Sequence, residues 1–175
     1  MPELNDEQLR IRGYLQAQAA KLSVPDLMTK VRADMAQLED AVTAASAVDH
    51  TKRPSAADWS ANEVLAHLVD ASARVNGGIL AAWERGEQPK SLRDAIVPVK
   101  QARTPREWYG HLGEEREALF ARLASATGEE HLDITWEHPF FGDLNWREWL
   151  LFLRLHDLDH ARQLQQIVEA VGRQA

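Results

Sequence analysis

At 175 residues the chain is the size of one domain, and 45% hydrophobic residues suffice for a sizeable core. A formal net charge of -7, with Lys and Arg scattered among acids, argues against a nucleic-acid surface, which needs a basic patch. The lack of cysteine excludes disulfides, thiolate zinc sites and a cysteine nucleophile.

The chain opens with MPELNDEQLRIRG, which lacks the apolar core of a signal peptide. Residues 5–21 predict a short helix with sparse apolar positions at Leu9, Tyr14 and Leu15. A second helix starts near Pro25 and shows Leu27, Val31, Met35, Leu38 and Val42 at helical spacing. After a polar connection at 47–59, WSANEV puts Ser60 at an N-cap and Glu63 at N3, with Trp59 and Val64 placed as a hydrophobic staple. That helix runs to about Arg85, where Gly86 stops it, and its inward face reads Val64, His67, Leu68, Ala71, Val75, Ile79.

A long connection spans 86–103. TPREW then gives Thr104 as N-cap, Pro105 at N1 and Glu107 at N3 of a helix running to about Ala126. Its face is Trp108, Leu112, Glu115, Leu119, Leu123. The third connection, 128–144, contains the alternating stretch LDITWE, with no evident partner strand. LNWREW supplies Asn145 as N-cap and Glu148 at N3 of the last helix, with Leu144 and Trp149 as the staple. This helix runs to about Val171, stopped by Gly172, and turns Trp149, Phe152, His156, His160, Gln163 and Ile167 inward. WLLFL, within it, is far too short to span a bilayer. The expectation is a soluble cytoplasmic protein with an all-α, four-helix up-and-down bundle and an extra N-terminal helix. One domain covers 1–175, with a core bundle at about 25–171 and a helical extension at 1–22.

The chemistry-bearing stretch is RLHDLDHARQ. Residues four apart share one face of a helix, so His156 and His160 can offer nitrogens to one ion. A pair alone is a weak signal, and His67, on the inward stripe of another helix, is the third candidate ligand. Each buried imidazole needs partners for its nitrogens, and one divalent cation, zinc or nickel, would serve all three. Asp70 and Gln163 are placed to orient ligands; Gln163 could equally fill a polar gap. Asp157 and Asp159 read as solvent-exposed, as do His50, His111, His131 and His138; His138 precedes Pro139 and is therefore extended. Trp136, Phe140 and Phe141 read either as pocket walls or as packing over the bundle end. Glu63 is consumed by its cap, so no separate general base stands out.

WSANEVLAHLVD on an early helix, with FFGDLNWREWLLFLRLHDLDHARQLQQI on the last, resembles the DinB/YfiT-like family. The resemblance covers roughly residues 25–170. It implies a bundle with a metal-binding histidine triad, carried here by His67, His156 and His160. Members are described as metal-dependent hydrolases, and others as transferases or isomerases that use a low-molecular-weight thiol. For this chain the resemblance implies a small-molecule substrate, with such a thiol as cosubstrate. Neither nucleic acid nor membrane is an expected partner, and a homodimer and a monomer are both compatible with the sequence. Two other readings stay open: a non-catalytic metal- or ligand-binding stress protein, and a structural bundle that binds no physiological metal.

Overall fold

The computed structural model describes residues 4–90 and 101–174. The stretch 91–100 of the long connection lies outside the described residues. Five helices appear in chain order: α1 (Asp6–Lys21), α2 (Val24–Ala45), α3 (Ala61–Arg85), α4 (Pro105–Leu123) and α5 (Trp146–Gly172). Their starts are set by side-chain caps. Ser60, Thr104 and Asn145 each accept from the backbone N–H of the N3 glutamate, whose side chain returns the bond. Asn5 and Gln8 form the same reciprocal box on α1, and Ser23 caps α2 just ahead of Pro25. At the far end of α3, Gly86 adopts φ 62°, the left-handed conformation a glycine stop supplies. Gly172 does not act that way: α5 runs through it and ends at Arg173.

Helix directions follow from paired residues. Asn62 bonds Arg103 and Trp108, while Glu84 pairs with Arg122 further along, so α3 and α4 run parallel. Leu22 bonds Arg147 and Asp34 bonds Arg154, so α2 and α5 also run parallel. The bundle is thus the expected all-α one with an extra helix, and its order of directions is up-down-down-up rather than simple alternation. Parallel neighbours cannot be joined by a tight turn, which is why α3 and α4 are separated by a long crossover connection. The extra helix, α1, packs antiparallel on α5, with Tyr14 beside Arg154. Among the described residues no helix is long and apolar enough to cross a membrane.

LDITWE contributes one strand of a hairpin that the sequence left unpaired. β1 (Thr135–His138) pairs antiparallel with β2 (Gly142–Asn145), in the register Trp136 to Leu144 and His138 to Gly142. The partner strand has no alternating apolar pattern to announce it. What permits the return is Gly142 at φ 73° after the turn Pro139–Phe140–Phe141.

Two apolar clusters fill the bundle, one built around Trp146, Trp149, Phe120 and Ile79, the other around Leu38, Leu68, Trp108 and Leu164. Between them lies a polar layer. Asp34 of α2 falls between Val31 and Leu38, Ser72 of α3 between Val69 and Val75, and Arg116 of α4 between Leu112 and Leu119. On α5 the layer is Asp157, fully buried, which corrects its expected exposure. Arg116 Nη1 donates to Asp157 Oδ2 at 3.0 Å; its Nη2 donates to Asp157 Oδ1 at 3.3 Å and to Ser72 Oγ at 2.9 Å. Burial pushes the Asp157 carboxyl up, and the Arg116 guanidinium opposes that shift.

Truncating one partner of a buried pair strands the other charge. Asp157→Ala should therefore lower the unfolding free energy by about 3–5 kcal/mol in urea titration. The double variant Arg116→Met/Asp157→Leu, which removes both charges, should recover most of that loss.

Candidate metal centre

His67 sits on α3 between Val64 and Ala71, on the face turned toward α5. One turn apart on α5, His156 and His160 face it. The ring centroids form a tight triangle: 5.5 Å from His67 to His156, 5.2 Å from His67 to His160 and 4.5 Å from His156 to His160. One nitrogen from each of the three lies within 4.8 Å of those of the other two. His67 and His160 are buried, and His156 is half-buried.

The protonation state follows from the surroundings. Burial, reinforced by the neighbouring His160 and His67, holds His156 well below the ordinary imidazole value. Burial also lowers His160, against an opposing hydrogen bond to Gln163. All this favours neutral rings, the form that binds metal. His160 Nδ1–H donates to Gln163 Oε1 at 2.8 Å, which fixes the tautomer and leaves the Nε2 lone pair facing His156. Gln163 thus does touch a ligand-type histidine.

Residues 27–164 match the DinB superfamily. The chain belongs to that superfamily. It is also 30% identical over 142 residues to the uncharacterized protein YuaE of Bacillus subtilis (strain 168), across 70% of this chain and 85% of that one. The residues matched to the DinB superfamily contain His67, His156 and His160 and leave out α1.

A divalent metal is what DinB membership leads one to test for, and the residues fit one. His156 Nε2 and His160 Nε2 lie 3.1 Å apart. Two nitrogens each about 2.0–2.1 Å from a tetrahedral ion would be separated by about 3.3 Å, so the pair stands close to chelating distance. The donor set is three imidazoles with no carboxylate among them. Such a set suits zinc or nickel and leaves part of the coordination shell to other ligands.

The histidines form the floor of a cleft of about 1010 Å³. Trp59 flanks it on one side, its ring edge-on to His67 at 5.2 Å. On the other side stands an aromatic wall of His138, Phe140, Phe141 and Phe152. The third side is α1, which presents Arg10, Ile11 and Tyr14.

Two expected site residues are placed elsewhere. Asp70 pairs with Arg74 at 2.9 Å, one turn along α3, and that ion pair rather than a histidine holds its carboxylate. Trp136 is buried and stacked on Trp149 at 5.1 Å, so it packs in the core and does not line the cleft. Phe140 and Phe141 do line it. Glu63 is held by the Ser60 cap and by Arg53, as its capping position implied.

The largest miss is His138, which is buried and not on the surface. It stacks on Phe141 at 4.6 Å and meets Phe152 edge-on at 4.4 Å. Its Nδ1 accepts from the Phe140 backbone N–H at 3.1 Å. Burial lowers its pKa to about 3. The available signal was the apolar neighbourhood of HPFF, which places a histidine among aromatics.

A histidine with its folded pKa depressed below the unfolded value of about 6.5 is neutral in the native chain while the unfolded chain takes up a proton. Stability is then lost as pH falls from about 6.5 toward 3. Between pH 5.5 and 4, urea unfolding should show wild-type stability falling more steeply than that of His138→Phe, by about 1.4 kcal/mol per pH unit. Parallel slopes would show that His138 is protonated in the native state.

Proposed function

We propose that this DinB superfamily member is a metal-dependent enzyme whose three-histidine centre activates water or a low-molecular-weight thiol, for hydrolysis or S-transfer on a small-molecule substrate. The observation that carries this reading is the convergence of three imidazoles at the floor of an open cleft. A structural zinc site closes its fourth position with protein, whereas a catalytic one leaves it to water or substrate.

His67, His156 and His160 would hold the ion. Bound there, a divalent cation supplies Lewis acidity and lowers the pKa of a bound water or thiol toward neutrality. The chain's other residues then have definite tasks. Gln163 holds His160 in the Nδ1–H tautomer, so that Nε2 is the donor atom. Phe152, in ring contact with His156 at 5.5 Å, covers one side of the centre and excludes water from it. Trp59 does the same at His67. Since the chain has no cysteine, a sulfur nucleophile has to come from a cosubstrate.

Elemental analysis of untagged protein should find about one zinc or nickel per chain. The variants His67→Ala, His156→Ala and His160→Ala should each lose it, together with turnover in a screen of thiol cosubstrates and hydrolysable esters or amides. Turnover that survives in a metal-free His160→Ala protein would sink the reading, and tight ligand capture without product would make the protein a binding module. Gln163→Leu should keep the fold while weakening metal affinity about 10–100-fold in chelator competition. Unchanged affinity would leave Gln163 as filler of a polar gap.

A further inference from the structure

The cleft is far larger than the chemistry at its floor requires. A water occupies about 30 Å³, and a small thiol only a few times that. A cleft of about 1010 Å³ therefore has most of its space left for a second molecule. Its walls describe that molecule. Phe140, at the tip of the hairpin, leaves 53% of its surface exposed and turns it into the cleft. Behind it, Phe141 stacks on His138 and Phe152 meets the same ring edge-on. Ile11 of α1 lines the same cleft. An aromatic ring slid between Phe140 and Ile11 would cover both and gain stacking contacts.

Charge describes the other end of the molecule. The charged lining is mixed, Arg10 and Arg162 against Glu7, Asp58 and Asp159, a formal excess of one negative charge that does not itself recruit an anion. The floor would select one: with no carboxylate in the donor set, the three histidines would leave the charge of a bound divalent cation uncompensated.

We infer that the cleft takes a bulky aromatic compound with a single anionic group, its ring seated between Phe140 of the hairpin tip and Ile11 of α1 and its anion facing the histidines. The anionic half rests on the metal-centre reading, while the aromatic half does not. Ile11 lies on α1, outside the residues matched to the DinB superfamily, so the aromatic half draws on a residue beyond that match.

The test is calorimetric titration of zinc-loaded, untagged protein with 1-naphthoate, acetate and the neutral 2-naphthalenemethanol. The expected result is 1-naphthoate binding at least about ten-fold tighter than acetate. Phe140→Ala and Ile11→Ala should each weaken 1-naphthoate by about three-fold or more, with zinc content and acetate affinity unchanged. Naphthoate no tighter than acetate, or indifferent to both variants, would overturn the inference. Failure of the metal centre reads out separately, as protein that takes up no zinc. In that case 2-naphthalenemethanol binding to metal-free protein, lost in Phe140→Ala, still supports the aromatic subsite, and no binding overturns it.

Discussion

The buried Arg116–Asp157 pair governs how the rest of the bundle can be arranged. A guanidinium removed from water costs several kcal/mol unless its donors are met, and Arg116 meets this demand at Nη1 and Nη2, with both carboxylate oxygens of Asp157 and with Ser72, while its Nε is left without a partner. Those partners sit on α5 and α3, so one side chain ties three helices at one height. It also sets the roll of α5. Successive helical residues are about 100° apart. With Asp157 turned to α4, His156 lies about 100° to one side and His160 about 60° to the same side. Both imidazoles are thereby aimed at α3 and His67. The alignment of the three histidines depends on an ion pair that is not one of their partners.

The same layer sets the register. A buried pair adds little net stability over apolar packing, and its strength lies in penalising alternatives. Were α5 to slip by one turn, Arg116 would face Leu153 or Ala161 in place of Asp157 and lose its countercharge. The Arg154–Asp34 pair imposes the same demand between α5 and α2 and draws in α1 through the Tyr14 hydroxyl. Two apolar clusters with no polar layer between them could be slid past one another at small cost. With it, the histidines of α3 and α5 meet at one height only.

Local chemistry was legible in the sequence because it is local. Ser60, Thr104 and Asn145 each sit three residues before a glutamate, and all three boxes form. The spacing of His156 and His160, with His67 on an inward stripe, needed only helical periodicity, and the three do converge. What stayed hidden depends on partners distant in sequence. Asp157 reads as exposed until a countercharge 41 residues earlier is known to face it. Arg116 lies one turn after Leu112, on the stripe, yet in EEREALF it looks like one more solvated charge. His138 became a core residue only through its strand pairing, which depends on a glycine that can adopt φ 73°. Asp70 pointed to the site by spacing, but a nearer arginine one turn along its own helix took it.

The cleft is lined both by residues matched to the DinB superfamily and by residues outside that match. Its floor lies within residues shared with the DinB superfamily, and one of its walls is a helix outside them. α1 is a poor candidate for a core element, because only Leu15 and Ala19 of its length are buried. It is nonetheless firmly seated, by its own capping box, by Leu15 in the core and by the Tyr14–Arg154 contact. A helix that buries so little and is fixed so well acts chiefly through the face it leaves open. Glu7, Arg10, Ile11 and Tyr14 recur at helical spacing on one side, and that side borders the cleft. Of these four, Glu7, Arg10 and Ile11 stand clear of the polar layer that aligns the histidines, whereas Tyr14 is tied to it through Arg154 and Asp34.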